Sequence, residues 1–233
     1  MKRKYIKKEP DEIRYMFDLI SNRYNLMNSL MTFGYDKFWR RTLIDKVSFP
    51  DKARVLDIGT GTGDIPLEIL SCQNEVICVG ADFSENMLNI ARTRKSANHV
   101  CWLATDSLNL SFRTNSFDVV TSAFLMRNVV SLRLAFKEQY RVLTEGGYLL
   151  CLDTSPFKKT WLRPILNLYF FGVIPLLGQL ISGHGAAYKY FSESTTGFLP
   201  AEDLAQLLTS VGFRNVGFSH TMFGSIAFHW GIK

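Results

Sequence analysis

The chain has little of what metal or disulfide chemistry requires. Its four cysteines include no Cys-X-X-Cys pair, and its four histidines are scattered along 233 residues. Isolated cysteines in apolar stretches are typical of small buried side chains in a reducing compartment. We therefore expect no metal site. We expect the cysteines to be buried and the histidines to lie at the surface or at strand ends: Cys72, Cys78, Cys101 and Cys151, and His99, His184, His220 and His229.

A basic groove is also missing, although the net charge is +6. A short N-terminal tail carries Lys2, Arg3, Lys4, Lys7 and Lys8, and the rest of the chain is close to neutral. We therefore expect no nucleic-acid partner. The tail is either solvated and disordered or attracted to an anionic membrane surface. Because the N-terminus has no apolar signal stretch, we expect a cytoplasmic protein, free or peripheral at the inner face of the membrane.

What the chain does have is a glycine-rich turn between two strand-like stretches. The turn, residues 59–63, follows the apolar residues 55–58, and a second apolar stretch ends at Asp82. Glycine has no Cβ and tolerates positive φ, so such a turn lets a ligand approach the backbone closely. The order of strand, turn, helix, strand and acid indicates a nucleotide-type cofactor site in a parallel α/β sheet, with Asp82 accepting hydrogen bonds from ribose hydroxyls.

The residues of the turn select the cofactor. A dinucleotide fingerprint, Gly-X-Gly-X-X-Gly, needs glycine at position 64, where this chain has Asp64. Asp57 and Asp64 flank the turn, and two carboxylates there would repel a pyrophosphate but suit a cation. S-adenosylmethionine carries both a sulfonium and an ammonium group, so we expect it as the cofactor. The alternative is a glycine turn that only connects a strand to a helix.

The alternation of strand-like and helix-like stretches predicts the fold class. The length favours one domain, and the alternation implies an α/β fold with a mostly parallel sheet, helices on both faces and an N-terminal helical cap. The last two of seven strands look like an antiparallel pair. The expected strands are 53–58, 75–81, 99–104, 116–123, 147–153, 214–220 and 224–230. The expected helices are 10–30, 35–47, 63–71, 84–95, 131–143 and 200–210.

Residues 161–183 interrupt this alternation with an almost wholly apolar stretch. It holds one charged residue, Arg163, and is nearly long enough to span a bilayer. We exclude a span, because the stretch lies between the fifth strand and the last helix of one domain. It is either a helix buried against the domain, or a lid over an apolar substrate or a patch that contacts membrane. We assign 1–47 to the tail and cap, and 157–199 to this apolar insertion.

Several short motifs occur together in this chain. The most specific are Tyr-Asn-Leu-Met-Asn at 24–28 and Arg-Asn-Val at 127–129. The others lie at 17–20, 38–40, 55–64, 80–84, 87–88, 116–118, 140–143 and 146–147. Together they resemble the class I S-adenosylmethionine-dependent methyltransferases. Within that class the chain resembles the ubiquinone/menaquinone biosynthesis C-methyltransferases, from about Phe17 to Lys233.

This resemblance implies a Rossmann-like enzyme that methylates a ring carbon of a polyprenylated benzoquinol or naphthoquinol. It implies that Thr62 and the turn contact the methionine part of the cofactor, and that Asp106 and Ser107 lie at the adenine. Phe83 and Met87 either pack on the adenine ring or belong to the ordinary core. The predicted cofactor-binding residues are Asp57, Gly59, Thr60, Gly61, Thr62, Gly63, Asp82, Phe83, Met87, Asp106 and Ser107.

Three further residues are candidates for catalysis. Methylation at carbon needs an electron-rich carbon, which an ortho hydroxyl supplies best as a phenolate. Arg127 follows the fourth strand, at the edge where ligands bind in such sheets, so its cation would stabilise the developing phenolate. Asn128 would orient the same oxygen, and Tyr24 would complete the pocket as a hydrogen-bond partner. The alternatives are a surface ion pair for Arg127, a turn role for Asn128 and a packing role for Tyr24.

Other functions remain to be weighed. The main alternative is an N- or O-methyltransferase acting on a phospholipid or another small apolar molecule, since the apolar stretch suits either kind of lipid. A nucleic-acid methyltransferase is disfavoured because the chain has no Pro-Cys nucleophile motif. A non-catalytic binding protein would leave the turn and Asp82 unexplained. After the fifth strand, family members usually read Leu-Glu-Phe-Ser, whereas this chain has Leu152-Asp153-Thr154-Ser155. A homodimer stays open.

Overall fold

A seven-stranded sheet organises the computed structural model, which describes residues 9–73, 75–156 and 163–233. The strands are β1 (Arg54–Ile58), β2 (Ile77–Asp82), β3 (Val100–Ala104), β4 (Phe117–Ala123), β5 (Leu143–Thr154), β6 (Arg214–Thr221) and β7 (Ile226–Ile232). Their order is β3-β2-β1-β4-β5-β7-β6, and β7 runs antiparallel to both of its neighbours. The predicted α/β class and mostly parallel sheet are confirmed.

Helices occur in all six segments that were predicted to be helical, and three more lie in the described part of the apolar insertion. They are α1 (Pro10–Ile20), α2 (Tyr24–Met31), α3 (Tyr35–Ile44), α4 (Asp64–Cys72), α5 (Glu85–Arg92), α6 (Leu132–Val142), α7 (Arg163–Leu168), α8 (Ile174–Ser182), α9 (Gly185–Gly197) and α10 (Ala201–Val211). A 3-10 turn at Ser21–Arg23 divides the predicted helix 10–30. Strand β5 begins at Leu143 rather than 147, because Gly146, at φ +78°, is absorbed into an irregular stretch of strand.

Both faces of the sheet are covered, so its central strands are buried on both sides. Successive side chains of a strand point to opposite faces. In β1, Leu56 and Ile58 therefore pack with α6 and α10, whereas Val55 packs with α3 and α4. The glycine turn follows the end of β1 and therefore lies at the carboxyl edge of the sheet.

The N-terminal cap and the apolar insertion share a core of their own. Ile20 and Met27 of the cap pack with Ile174 and Tyr188 of the insertion. Gly178 makes this close contact feasible, since a Cβ there would lie 2.2 Å from the Cδ2 atom of Tyr188. Cap and insertion thus form one layer rather than two separate appendages.

Few residues of the apolar stretch 164–182 are buried, so the interpretation of this stretch as a buried helix is wrong. The chain runs helically from Pro164 to Ser182, with a π-helical stretch at Tyr169–Val173, and only 11% of this span is buried. By length and composition alone it qualifies as a membrane-crossing helix. In the chain it nevertheless lies between β5, a strand of the sheet, and α9, which packs against the cap. The predicted basic tail and Trp161 lie outside the described residues.

Two expectations about isolated side chains were wrong. Cys78 and Cys151 are buried as predicted, but Cys101 is exposed because β3 is an edge strand. His229 lies in the middle of β7 and is 1% exposed, rather than at the surface or a strand end. Its Nε2 atom lies 3.0 Å from the carbonyl oxygen of Ala201. Burial lowers the pKa of His229 to about 4, so the imidazole is neutral in the folded protein at neutral pH.

Because His229 is buried as a neutral imidazole, we predict that acid lowers the stability of the folded protein and that His229→Gln removes this effect. The unfolded chain binds a proton near the ordinary histidine pKa of 6.5, whereas the folded chain does so only near 4. Stability is therefore lost as pH falls through this window, by roughly 3 kcal/mol in all. Urea unfolding at several pH values should show a shallower acid loss in His229→Gln. The exposed His99→Gln variant should behave like the wild type, and equal slopes for all three proteins would contradict the prediction.

Candidate active site

A cavity of about 420 Å³ opens at the carboxyl ends of β1, β2 and β4, beneath α1. Its wall is mixed, with apolar side chains, three carboxylates and backbone of the glycine turn. Nine predicted site residues line it: Tyr24, Gly59, Gly61, Asp82, Phe83, Met87, Asp106, Ser107 and Asn128. The carboxyl-edge location expected from the turn motif is therefore where the structure places these residues.

Two glycines of the turn differ in what they allow. Both Gly59 and Gly61 have left-handed backbone, with φ of +66° and +55°. A Cβ on Gly59 would lie 2.8 Å from the Cδ1 atom of Leu125, so this glycine serves packing as well. A Cβ on Gly61 would meet only the ring of Tyr24, at 3.9 Å. Gly61 is therefore the point at which a ligand can approach the backbone.

Asp82 is the acid that the turn presents to the cavity. Its two carboxylate oxygens accept hydrogen bonds from the backbone N–H groups of Gly61, at 2.7 Å, and Ser84, at 2.9 Å. Burial raises the pKa of Asp82, and these backbone donors oppose that rise by favouring the carboxylate. A carboxylate has about four acceptor positions, so Asp82 can also accept from the hydroxyls of a bound ribose.

The two acids that flank the turn do not face the cavity, and the reasoning that they attract a cation was wrong. Asp57 is 2% exposed and accepts a hydrogen bond from the hydroxyl of Thr121 at 2.6 Å. Its burial raises its pKa to about 7. Asp64 is paired with the guanidinium groups of Arg94 and Arg40. Burial therefore disfavours the charged form of Asp57, and two arginines already compensate the charge of Asp64.

Three further predicted cofactor residues also lie behind the cavity wall. Thr60 and Thr62 are buried, and the hydroxyl of Thr62 donates to Oδ1 of Asn25 at 2.6 Å. A Cβ on Gly63 would lie 2.5 Å from Cη2 of Trp102, so this glycine makes room for the indole ring. In this structure the hydroxyl of Thr62 therefore links α2 to the turn rather than lining the cavity.

Helix α1 of the predicted N-terminal cap forms one wall of the cavity. Five of its residues line the wall: Pro10, Asp11, Ile13, Arg14 and Phe17. A hydrogen bond of 2.5 Å from the hydroxyl of Ser84 to Asp18 ties α1 to the loop after Asp82. The helical periodicity of this segment predicts an amphipathic helix but contains no signal for what its buried face covers.

Arg127 occupies a buried ion pair, not the surface pair weighed as its alternative. One guanidinium nitrogen, Nη1, lies 2.8 Å from Oδ1 of Asp153, and the two side chains are 5% and 1% exposed. The backbone N–H of Arg127 donates to the other oxygen of Asp153 at 3.1 Å. The rings of Phe124 and Phe191 lie on the guanidinium, at 5.3 and 5.2 Å. Its Nε atom is buried without a hydrogen-bond partner.

A second, small cavity of about 20 Å³ adjoins the first. Phe17, Tyr24 and Asn128 line both cavities, whereas Arg127 and Tyr190 line the small one. Arg127, Asn128 and Tyr24, the three candidates for catalysis, are therefore brought together where the two cavities adjoin. Asp153, near the end of β5, was noted only as a departure from the family pattern, and Tyr190, far along the chain on α9, was missed.

The chemistry of the large cavity fits S-adenosylmethionine. Its open glycine backbone and Asp82 suit a ribose beside the turn, and Phe83, Met87 and Leu108 provide apolar surface for an adenine ring. Asp106 accepts from the backbone N–H of Leu108 at 2.9 Å and keeps further acceptor positions. Among the described residues, no group of three or more His, Cys, Asp or Glu side chains is placed to hold a metal ion.

Several solved structures, two of them of methyltransferases, share this fold. The [4+2]-cyclase SpnF superposes with a TM-score of 0.71 at 15% identity, covering 98% of this chain and 97% of that one. A possible histamine N-methyltransferase of Thermotoga maritima gives 0.65 at 21% identity, covering 95% and 99%. Phosphoethanolamine N-methyltransferase 2 of Haemonchus contortus, solved with S-adenosyl-L-methionine, gives 0.64 at 17%, covering 84% and 52%. These identities establish the fold alone.

Sequence relatives identify the family. The ubiquinone/menaquinone biosynthesis C-methyltransferase UbiE of Desulfotalea psychrophila is 42% identical over 221 residues, which cover 95% of this chain and 90% of that protein. The demethylmenaquinone methyltransferase of Thermus thermophilus is 40% identical over 220 residues, covering 94% and 100%. The profile of the ubiE/COQ5 methyltransferase family matches residues 4–233. The chain therefore belongs to the ubiE/COQ5 methyltransferase family.

Proposed function

We propose that the chain methylates a ring carbon of a polyprenylated quinol in respiratory quinone biosynthesis, with S-adenosylmethionine as the methyl donor. Its family and its relatives, named for demethylmenaquinone or for ubiquinone and menaquinone biosynthesis, support this activity. The structural observation that carries it is the buried Arg127 cation at the junction of the two cavities. A fixed, buried cation suits a phenolate acceptor better than an amine, which reacts as a neutral lone pair.

The proposal places the donor in the large cavity and the acceptor ring where the large cavity meets the small one, which is too small to hold a ring itself. Bound S-adenosylmethionine supplies an electrophilic methyl group. Gly61 and Asp82 hold its nucleoside part, while Phe83 and Met87 pack on the adenine. The acceptor ring lies towards Arg127, Asn128 and Tyr24, where helix α1 keeps water away from both reactants. Alignment of the two in this enclosure contributes much of the rate.

Arg127 acts in this proposal by favouring the ionised form of the acceptor. When the hydroxyl ortho to the reacting carbon loses its proton, the resulting phenolate raises the electron density at that carbon. A cation that is already held in place by Asp153 stabilises this developing charge without reorganising during the reaction. Asn128 adds a hydrogen bond to the same oxygen, and Tyr24 encloses it from the side of the cap.

A panel of acceptors tests the function. Purified protein with methyl-labelled S-adenosylmethionine should label a ring carbon of reduced demethylmenaquinone or of a demethylated polyprenyl benzoquinol, and should leave phosphatidylethanolamine unlabelled. An Asp82→Ala variant, which loses a ribose acceptor, is the matched negative control for cofactor binding. Label on the phospholipid alone would move the function to the N-methyltransferase alternative. No label on any acceptor, with S-adenosylhomocysteine still bound, would contradict the proposed substrate.

A charge-pair variant tests the role of Arg127. Replacing Arg127 alone would leave Asp153 as a buried unpaired charge, which costs about 3–5 kcal/mol of stability. The double variant Arg127→Gln with Asp153→Asn removes both charges and keeps a neutral hydrogen bond. We expect its kcat to fall at least about 100-fold. Its affinity for S-adenosylhomocysteine should stay near that of the wild type, because neither side chain lines the large cavity. Turnover within tenfold of wild type would refute the assigned role.

We further propose that the protein meets its lipid substrate at a membrane surface. No charged residue occurs from position 164 to 182, and Leu168 and Leu180 are 69% and 74% exposed. Phe33 of the cap stacks on Tyr169 at 6.1 Å and is itself exposed, which extends the apolar surface across both segments. A polyprenyl tail resides in the bilayer, so a surface of this kind gains most from contact with lipid.

Vesicle binding tests this contact. The triple variant Leu168→Gln, Leu176→Gln and Leu180→Gln should co-sediment with phosphatidylglycerol and phosphatidylethanolamine vesicles at least tenfold more weakly, since burying each leucine contributes about 1.5–3 kcal/mol. Its turnover of a short-tailed soluble quinol should stay within twofold of wild type. The control variant Ile77→Thr with Leu134→Gln removes exposed apolar side chains elsewhere and should bind normally. Unchanged vesicle binding, or loss of a dimer instead, would contradict the proposal.

A further inference from the structure

Helix α9 delivers two adjacent aromatic residues to the 3-10 turn Met126–Asn128. The ring of Phe191 lies 5.2 Å from the guanidinium carbon of Arg127. The phenol O–H of Tyr190 donates to Oδ1 of Asn128 at 3.3 Å. Since α9 is the last helix of the apolar insertion, the insertion reaches the acceptor end of the site directly. Its sequence contains no motif that marks either residue.

The hydrogen bonds of Asn128 determine which way its carboxamide points. Its Nδ2 group donates to the carbonyl oxygen of Phe124 at 3.1 Å, while Oδ1 accepts from Tyr190. A flipped amide would place Oδ1 against the carbonyl of Phe124, which has no hydrogen to donate. One hydrogen of Nδ2 is left over by these two bonds. Asn128 lines both cavities, so this hydrogen is available where donor and acceptor meet.

Tyr190 is suited to hold this arrangement without taking part in proton transfer. Its burial raises the pKa of the phenol, so the group stays a neutral donor at neutral pH. Its oxygen is anchored on a helix that also packs against Arg127 through Phe191. A rigid second layer of this kind keeps a polar side chain in the geometry that its chemistry needs.

We propose that Tyr190 is a positioning residue for the methyl transfer. It fixes the carboxamide of Asn128 so that the remaining Nδ2 hydrogen donates to the phenolic oxygen of the bound quinol. This inference rests on the proposed function, because it takes the acceptor to be a quinol that Asn128 contacts. It adds a residue of the insertion to the site and makes docking of α9 a condition for full activity.

The variant Tyr190→Phe removes the hydroxyl and keeps the ring. Because one neutral hydrogen bond is lost, kcat should fall about three- to tenfold, with S-adenosylhomocysteine affinity and thermal stability near those of wild type. Tyr169→Phe is the matched control, since it loses a phenol hydrogen bond to Met31 in the same insertion, at 2.7 Å. Its turnover of a short-tailed soluble quinol should stay within twofold. An equal loss in both variants would show a loosened insertion and overturn the inference.

A double-mutant cycle separates positioning through Asn128 from direct contact with substrate. Asn128→Ser shortens the side chain beyond reach of Tyr190 but leaves a polar group and measurable turnover by radiolabel. In that background Tyr190→Phe should change kcat by less than twofold. The same loss in both backgrounds, or no loss in the wild type, would overturn the inference. If Asn128→Ser itself kept full turnover, the proposed contact of Asn128 with the quinol would fail, which is a different result from the failure of Tyr190 alone.

Discussion

The buried ion pair between Arg127 and Asp153 is the interaction on which the acceptor end of the site depends. Removing two charges from water costs several kcal/mol each, and pairing them rarely repays more than that cost. Such a pair is therefore poor at stabilising a fold, and apolar side chains of equal volume would serve better. Here it joins the turn after β4 to the end of β5 and leaves Nε of Arg127 without a partner. The role that we propose for this cation, stabilising a phenolate acceptor, accounts for the arrangement.

This pair also gives a structural task to Asp153, the acid near the end of β5 where the resemblance implied a longer side chain. Asp153 bonds the guanidinium, the backbone N–H of Arg127 and the backbone N–H of Thr154, at 2.7 to 3.1 Å. Its short side chain keeps the carboxylate close to β5, within hydrogen-bond distance of all three donors. The departure at this position therefore changes the length of the acid and leaves it a defined task, which is to hold Arg127.

Much of the fold followed from periodicity, because alternating buried strands and helices leave few arrangements of a parallel sheet. The strand ends, the carboxyl-edge site and Asp82 were predicted for this reason. What could not be predicted lies between elements far apart in sequence. The contact of Tyr190 with Asn128 joins residues 62 positions apart, and that of Arg127 with Asp153 joins residues 26 apart. A sequence pattern records which face of a helix is apolar, but not which partner covers it.

The cofactor was predicted correctly from the glycine turn, but for a reason that the structure does not support. The absence of a sixth-position glycine excluded a dinucleotide, and S-adenosylmethionine followed from two acids that were expected to attract its cation. In the structure Asp64 is neutralised by two arginines, and Asp57 is buried with its pKa raised to about 7. Their task is structural, since Asp57 bonds β1 to β4 and Asp64 ties α4 to its neighbours. The acid that faces the ligand, Asp82, is set apart by backbone donors that keep its carboxylate in place.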